Sequence, residues 1–356
     1  MTWTQPELYQ QQLATKLEQF KALVPTAGEP QVFASAPEHY RMRAEFRIWQ
    51  LPERCFYAMF HPGNNKEPIE VTDFPVVCQG IYQLMPKLLA AINANDVLRR
   101  KLFQVEFLAS HDQVLVSMIY HRPLDDAWQQ QAQQLEQQLG IHLIGRSRKQ
   151  RLVLSQDFVD EQLTADGQTW HYRQHENSFT QPNAGVCQQM ISWACQQLAS
   201  LPQRRDLLEL YCGLGTFTLP LASYFNRVLA TEISKKSVRA GEYNLERNQI
   251  SNVQIKALAS EELSLALNQG QWPKKIEAKD YQFDCLLVDP PRAGLDPASL
   301  ELAKRFDYIL YISCNPQTLA ANLEQLSEHR VLSSAIFDQF PYTHHLEAGV
   351  LLCKTP

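Results

Sequence analysis

Residues 206–217 read Asp206-Leu207-Leu208-Glu209-Leu210-Tyr211-Cys212-Gly213-Leu214-Gly215-Thr216-Phe217. The apolar run predicts a buried strand, and the two glycines after it predict a tight turn in which the backbone can approach a ligand closely. From this point onward apolar strands alternate with helical patterns, with strands expected at residues 207–210, 228–231, 253–257, 285–288, 309–312 and 350–352. Such alternation predicts an α/β fold with a mostly parallel, doubly wound, Rossmann-like sheet.

The first half of the chain has a different pattern. A helix over residues 6–23 is followed by segments of strand character at 41–49, 102–108 and 114–120 and by a helix at 127–139. A polar stretch at residues 160–180 separates the two halves, and we place the domain boundary within it. The expected organisation is an N-terminal α+β, strand-rich domain at residues 1–175 and a C-terminal α/β domain at residues 176–356.

Composition limits the class of protein. The 356 residues, of which 45% are hydrophobic, suffice for about two domains with a core each. No apolar run approaches the roughly 20 residues of a membrane span, and the N-terminus lacks a hydrophobic signal core, so we expect a cytoplasmic protein. The eight cysteines form no Cys-x-x-Cys pair, which favours neither disulfides, nor a metal site, nor an iron–sulfur cluster. The formal net charge of -5 leaves RNA binding open, because binding depends on a local basic face.

The next strand points to the kind of cofactor. It ends at Glu232, where a carboxylate can accept hydrogen bonds from both hydroxyls of a ribose. A dinucleotide site would have a third glycine where Thr218 stands, so no pyrophosphate grip is indicated. A glycine turn followed by an acidic residue suits S-adenosylmethionine, which has a ribose and no phosphate; a tight turn of any α/β sheet is the alternative.

A third strand is followed by Asp289-Pro290-Pro291-Arg292. Two prolines make a rigid corner at the carboxyl edge of the sheet, beside the expected cofactor crevice. Some base-amino methyltransferases have an aromatic residue where Arg292 stands, so methylation of an amino group is disfavoured. Arg292 is instead a candidate contact to the substrate.

A cysteine follows a fourth strand, in Ser313-Cys314-Asn315-Pro316. Pro316 suits the first position of a helix, and the N-terminus of a helix stabilises a thiolate, so a nucleophile with a lowered pKa is predicted. A buried structural cysteine is the alternative. Near the C-terminus, His344 and His345 are adjacent and would point to opposite faces, so a metal site is disfavoured and a loop that presents the carboxylate of Glu347 is expected.

A nucleophilic cysteine, a methyl donor and a carboxylate together suit carbon C5 of a pyrimidine. C5 is too weak a nucleophile to attack a methyl group directly, but addition of a thiolate at C6 makes C5 electron-rich. A carboxylate can then remove the C5 proton so that the thiolate is eliminated. We expect Cys314 to be the nucleophile and Glu347 to be the base.

The chain resembles the RNA uridine-5 methyltransferases, and within them the branch that acts on tRNA. The resemblance is close to full length and rests on these segments: His39-Tyr40-Arg41-Met42-Arg43-Ala44-Glu45-Phe46-Arg47, Phe179-Thr180-Gln181-Pro182-Asn183, Leu208-Glu209-Leu210-Tyr211-Cys212-Gly213, Asp289-Pro290-Pro291-Arg292, Ser313-Cys314-Asn315-Pro316 and Phe340-Pro341-Tyr342-Thr343-His344-His345-Leu346-Glu347.

The resemblance implies an S-adenosylmethionine-dependent enzyme that methylates C5 of the T-loop uridine of tRNA, position 54, through a covalent adduct between cysteine and C6. It implies Cys314 as nucleophile and Glu347 as proton acceptor. It further implies that the cofactor is bound by Gln181, Tyr211, Thr216, Glu232 and Asp289, of which Thr216 stands where the family often has asparagine. A related branch that acts on ribosomal RNA carries four N-terminal iron–sulfur cysteines, whereas the first half here has two, Cys55 and Cys78.

The segment 41–49 is the expected RNA-binding surface of the N-terminal domain. Its alternation puts one set of side chains on a single face: Arg41, Arg43, Glu45, Arg47 and Trp49. Such a face suits phosphates and unstacked bases, and a solvated sheet face is the alternative. The basic run 146–151 is a weaker candidate, and the target base is expected to be flipped out of its loop.

The expected partners are tRNA and other RNAs with a T-like loop, with no protein partner indicated. Two other functions stay open: C5 methylation of a ribosomal RNA uridine, and a tRNA-binding or remodelling protein in which catalysis is secondary.

Overall fold

The computed structural model describes residues 3–24, 28–61, 63–277 and 280–355. Its strands are β1 (Gln31–Phe33), β2 (Arg43–Gln50), β3 (Cys55–His61), β4 (Asn64–Glu70), β5 (Leu102–Ala109), β6 (Val114–Tyr120), β7 (His142–Ser147), β8 (Gln150–Val153), β9 (Phe158–Ala165), β10 (Gln168–His175), β11 (Asp206–Leu210), β12 (Arg227–Glu232), β13 (Val253–Ala257), β14 (Phe283–Val288), β15 (Tyr308–Ser313), β16 (His329–Phe337) and β17 (Glu347–Lys354).

The α-helices are α1 (Tyr9–Leu23), α2 (Gln79–Asn93), α3 (Asp96–Arg99), α4 (Asp126–Leu139), α5 (Ala184–Ala199), α6 (Thr218–Leu221), α7 (Lys235–Arg247), α8 (Ser260–Asn268), α9 (Pro297–Ala303) and α10 (Pro316–Gln325). Within the described ranges, no helix combines the length and the apolar character that crossing a membrane requires.

The C-terminal half forms an eight-stranded sheet in the order β1-β16-β17-β15-β14-β11-β12-β13. Its pairs are parallel, except that β17 runs antiparallel to both β15 and β16. β11, which contains the first part of the 206–217 stretch, is buried along its whole length. Leu207 packs into the core on one face of the sheet, and Leu208 and Leu210 pack into the core on the other. The doubly wound α/β fold is therefore confirmed.

The strands predicted in this half all form, and two strands of its sheet were missed, β1 and β16. β16 was not predicted because its first five residues alternate between half-buried and exposed and only its last four are buried. The short apolar run at 335–337 does not by itself reach the length of a typical strand. β16 is held as a strand by its pairing with β17, and the local sequence does not reveal this pairing.

The other half forms a seven-stranded sheet in the order β4-β3-β2-β5-β6-β7-β8, in which only the β6–β7 pair is parallel. The predicted strands correspond to β2, β5 and β6, and the predicted helix at 127–139 corresponds to α4. The side chain of Asp125 accepts a hydrogen bond from Trp128 N at the start of α4, and Gly140 ends the helix with a φ of 64°. The alternation of β2 is also present, because Ala44 and Phe46 are buried.

The chain divides into two compact units that differ from a single cut at residue 175. One unit contains residues 36–161 and 173–177, and the other contains residues 5–35, 162–172 and 178–356. Residues 5–35 belong with the C-terminal half because β1 pairs in parallel with β16. The polar stretch at 160–180 is an ordered hairpin of β9 and β10, whose turn residues Asp166 and Gly167 both have positive φ. An Asp-Gly pair with this geometry is a strong hairpin signal, which the polarity of the segment masked.

β11 carries a buried acid inside the sheet. Glu209 is 2% exposed, and the side chain of Thr218 is the neighbour that favours its ionised form. Burial raises the pKa of the Glu209 carboxyl to about 8, because the charged form would be poorly solvated there. The folded protein therefore holds a proton at Glu209 under conditions in which an unfolded chain has released it.

This proton makes stability depend on pH. Between the ordinary pKa of 4.5 and the folded value of about 8, the folded state binds one more proton than the unfolded state at Glu209, so stability falls as pH rises through this range. Glu209→Gln cannot ionise at this position. The thermal midpoint of the variant minus that of the wild type should therefore increase as pH rises from 5 to 8. Thermal unfolding followed by circular dichroism measures the difference. Glu324→Gln, at an exposed position, is the matched control; equal pH dependence of wild type and Glu209→Gln would contradict the prediction.

Candidate active site

The carboxyl ends of four parallel strands bring the predicted site residues to one edge of the sheet. Tyr211 follows β11, Glu232 is the last residue of β12, Asp289 follows β14 and Cys314 follows β15. Because β12, β11, β14 and β15 are neighbours in the sheet, these positions lie side by side. This edge is where ligands bind in doubly wound sheets.

The turn after β11 leaves open space. Tyr211 has a φ of 63°, and Gly213 and Gly215 have φ values of 58° and 91°. A Cβ atom added at Gly213 would meet no atom within 4 Å. The turn is fixed from behind, since the Asn244 side chain donates to Leu214 O at 3.1 Å. A ligand can therefore lie against the backbone of this turn.

Glu232 is held at the same place by backbone amides. Its carboxylate accepts hydrogen bonds from Gly213 N at 3.2 Å and from Ser234 N at 2.7 Å. The carboxylate oxygens keep further acceptor capacity, which ribose hydroxyls can use. An open glycine turn and an anchored carboxylate fit S-adenosylmethionine.

The structure places the other predicted cofactor contacts in different environments. Gln181 is half-buried and lies two residues before Asn183, whose side chain caps α5. The Tyr211 hydroxyl donates to Asp296 at 3.1 Å. Thr216 is half-buried, and its backbone oxygen accepts from the Tyr172 hydroxyl at 3.0 Å.

The thiol and the second carboxylate come together through strand register. In the antiparallel β15–β17 pair, Ser313 lies opposite Ala348, and the next residues on the two strands are Cys314 and Glu347. Pro316 is the first residue of α10 and Asn315 caps it, accepting from Gln317 N at 3.1 Å. Cys314 therefore lies one residue outside the helix cap, and Glu347 is 3% exposed.

The predicted low pKa of the thiol is wrong. The pKa of Cys314 is raised to about 11; burial is the largest cause, the charges of Glu347 and Asp289 act in the same direction, and Arg292 opposes them. Burial likewise raises the pKa of Asp289 to about 7 and that of Glu347 well above its usual range. Loss of solvent and two neighbouring acids outweigh the helix N-terminus. Such a group of acids fits a cationic ligand, and the sulfonium of S-adenosylmethionine is one.

A cavity of about 190 Å³ opens at the thiol. Its walls come from α1, from the start of α10 and from residues 344–346. Arg292 lies at the wall, with its Nη2 atom 3.2 Å from the ring nitrogen Nδ1 of His345. Burial and the neighbouring Arg292 lower the pKa of His345, which keeps its ring neutral and able to accept this hydrogen bond. In the part of the chain that the structure describes, no group of three or more His, Cys, Asp or Glu side chains is arranged to hold a metal ion.

The predicted RNA contacts Arg43 and Arg47 belong to the other compact unit. Arg47 is exposed and its guanidinium carbon lies 3.6 Å from the centroid of the Phe103 ring, which stacks on His121 at 3.9 Å. Arg43 is partly buried and donates to Glu176 O. Sequence reasoning missed Phe103 and His121, because only the pairing of β2 with β5 brings Arg47 opposite the Phe103 region.

The basic run 146–151 is partly neutralised. Arg146 lies 3.6 Å from a carboxylate oxygen of Glu176, and Arg151 lies 2.9 Å from the other and 2.8 Å from Asp157. These pairs leave less positive charge for phosphates than the sequence suggests.

Comparison with known proteins gives a consistent result. Residues 8–355 match the family model described as tRNA (Uracil-5-)-methyltransferase. The chain is 52% identical to the tRNA/tmRNA (uracil-C(5))-methyltransferase of Ectopseudomonas mendocina (strain ymp), covering 98% of this chain and 97% of the relative. It is 51% identical to the protein of the same name from Aromatoleum aromaticum, covering 98% and 96%.

Among solved structures, the fold is similar to that of the Pyrococcus abyssi tRNA (uracil-54, C5)-methyltransferase in complex with S-adenosyl-L-homocysteine. The TM-score is 0.73 at 20% sequence identity, and the match covers 97% of this chain and 83% of the other. At this identity the likeness concerns the fold.

The raised pKa of Cys314 predicts slow alkylation of the free protein. Its reaction with iodoacetamide should accelerate as pH rises towards about 11, rather than level off near the ordinary value of 9. Asp289→Asn removes one of the charges that disfavour the thiolate and should move the profile to lower pH. Peptide mapping by mass spectrometry separates Cys314 from Cys353, the other partly exposed cysteine. An alkylation rate that levels off below pH 9 in the wild type would show that the pKa of Cys314 is not raised.

Proposed function

Because the chain belongs to the tRNA (uracil-5-)-methyltransferase family, we propose that it methylates C5 of the T-loop uridine of tRNA, position 54, to give 5-methyluridine. The observation that carries the proposal is the position of Cys314 and Glu347 at the adjoining ends of β15 and β17, on the same sheet edge as the open turn at Gly213. A thiol, a carboxylate and a cofactor turn at one strand edge are the parts that C5 methylation requires.

The reaction begins at the thiolate of Cys314, the form that nearby positive charge favours. Cys314 Sγ forms a bond to C6 of the uracil, and the electron pair of the C5–C6 double bond moves towards C5 and the O4 carbonyl. When bound, S-adenosylmethionine supplies an electrophilic methyl group on a cationic sulfur, which keeps the electron pair of the broken bond as the methyl passes to C5. Glu347 then takes the C5 proton, the C5–C6 double bond re-forms, and the bond from C6 to Sγ breaks to return the thiolate.

The raised pKa values are consistent with these roles. Once ionised, a carboxylate of raised pKa is a stronger base than an ordinary one, which suits Glu347 for removing a proton from carbon. A cation in the pocket favours the ionised forms of both Cys314 and Glu347. Arg292, whose charge already opposes the rise in the pKa of Cys314, is proposed to contact the substrate.

We assign the cofactor to Gln181, Tyr211, Thr216, Glu232 and Asp289, with the carboxylate of Glu232 receiving the ribose hydroxyls. Glu232 is already anchored by two backbone amides, so it loses little freedom on binding.

Arg43 and Arg47 are the proposed RNA contacts of the strand-rich unit. Arg47 and His121 are exposed and lie against the half-buried ring of Phe103, and this group of one cation and two rings suits a phosphate next to an unstacked base. The same chemistry would serve other RNAs with a T-like loop, and the curated relatives are named for tRNA and tmRNA alike. Action in the cytoplasm stays a prediction.

Two variants separate the roles of thiol and base. Cys314→Ala should lose methyl transfer by orders of magnitude while fold and cofactor binding survive, since it removes the nucleophile. Glu347→Gln should trap a methylated RNA–protein complex that runs as a shifted band on a denaturing gel. Unmodified tRNA is the substrate, and tRNA with the T-loop uridine replaced by cytidine is the control. Normal turnover by Glu347→Gln without a shifted band would refute the base assignment.

Arg47→Ala should weaken RNA binding without changing chemistry. Loss of one phosphate contact is expected to raise the Kd for tRNA roughly tenfold and to lower the slope of log Kd against log salt by about 1. Binding is measured between 50 and 200 mM salt in a Cys314→Ala background, which prevents turnover. Arg54→Ala, an exposed arginine of the same unit paired with Glu70, is the matched control. Equal salt slopes for Arg47→Ala and the parent would contradict the assignment.

A further inference from the structure

Helix α1 makes a buried ion pair with the segment that precedes the catalytic carboxylate. Lys16 Nζ lies 2.7 Å from Asp338 Oδ1, and the two side chains are 3% and 0% exposed. The same ammonium donates to Phe340 O at 3.0 Å. Burial lowers the pKa of Lys16 in spite of its partner, so this charge is costly to hold inside the protein. An apolar side chain could fill the same space, but it could not make these two directed bonds.

Residues 338–346, which we call the β16–β17 segment, are held at further points. Tyr342 N donates to Gln12 Oε1 at 2.8 Å, and Gln12 Nε2 donates to Thr343 O at 3.3 Å. At the start of the segment, Asp338 N donates to Phe33 O of β1 at 3.0 Å. Gln339 is fully buried and accepts from Asn183 N at 3.1 Å. α1 and the strand after it therefore fix the segment over most of its length.

The β16–β17 segment reaches the thiol. It closes the hairpin at the Phe337–Glu347 pair, and His344, His345 and Leu346 line the cavity that contains Cys314. α1 itself contributes Gln19, Phe20 and Leu23 to the same cavity. α1 and the β16–β17 segment, which are joined by these contacts, thus both line the cavity at the proposed reaction site.

We propose that α1 is a wall of the pocket that receives the target base, and that Lys16 is the positioning residue that holds the β16–β17 segment against this pocket. The identity of the base rests on the proposed function. Gln19 is exposed at this wall and presents an amide with both donors and an acceptor, which complements the carbonyls and the N3–H of uracil.

The first experiment needs no RNA and measures how well the segment covers the thiol. Iodoacetamide reacts with the folded protein at pH 9, and the alkylation rate of Cys314 is divided by that of Cys353. Lys16→Met should raise this ratio at least roughly fivefold, as expected when local opening becomes easier by about 1 kcal/mol. Lys16→Arg should restore a ratio near that of the wild type. Lys21→Met, which removes a lysine of the same helix that pairs with Glu18 and Glu29 near the surface, should leave the ratio unchanged.

The remaining six cysteines are buried and report global unfolding. If Lys16→Met exposes them as well, Gln12→Ala decides, because it removes two hydrogen bonds to the segment without stranding a buried charge. A selective rise in Cys314 alkylation in Gln12→Ala then supports the proposal. An unchanged ratio in a folded Lys16→Met protein, or in Gln12→Ala where Lys16→Met unfolds, would overturn the positioning role.

The second experiment tests the wall. In the Glu347→Gln background, Gln19→Trp should lower formation of the covalent RNA complex at least roughly tenfold by filling the pocket, while S-adenosylmethionine binding measured by calorimetry is retained. Glu18→Trp, at the neighbouring exposed position, is the matched control. If Gln19→Trp forms the covalent complex as readily as its parent, the proposal that α1 is a wall of the base pocket is wrong. If Glu347→Gln alone forms no complex, the proposed function fails, whereas the alkylation experiment still decides the role of Lys16.

Discussion

The common edge of the C-terminal sheet is the constraint on which the rest of the site depends. The parallel strands place Tyr211, Glu232, Asp289 and Cys314 at this edge, because the carboxyl end of each of these strands lies there. β17 runs the opposite way between β15 and β16, so it is its first residue, Glu347, that reaches this edge. One reversed strand thereby brings a carboxylate to a thiol that lies more than thirty residues earlier in the chain.

Electrostatics set the character of this edge. Asp289, Cys314 and Glu347 are acids in a poorly solvated place, and each has a raised pKa. Burial thus disfavours the ionised forms of these groups, and positive charge nearby favours them. Arg292 places one cation at the cavity wall, and the proposed sulfonium cofactor would add a second.

The N-terminal residues are divided between the two compact units. Residues 36–161 form most of the strand-rich unit that carries Arg47 and Phe103, whereas residues 5–35 belong to the unit that carries Cys314. The sequence predicts a helix over residues 6–23 but does not indicate which segment it packs against. Lys16 would ordinarily be expected on a solvated face, and its burial against Asp338 depends on a contact between residues 322 positions apart.

The sequence by itself determined the doubly wound fold, the glycine turn and the acidic strand end at Glu232, because these follow from local periodicity and backbone conformation. It also located Cys314 before a proline-initiated helix, which the capped start of α10 confirms. Only the tertiary structure decided the pKa of that thiol, the antiparallel register that sets Glu347 beside it, and the ion pair between α1 and Asp338. Burial and cross-strand register arise from segments far apart in the chain, so no local pattern encodes them.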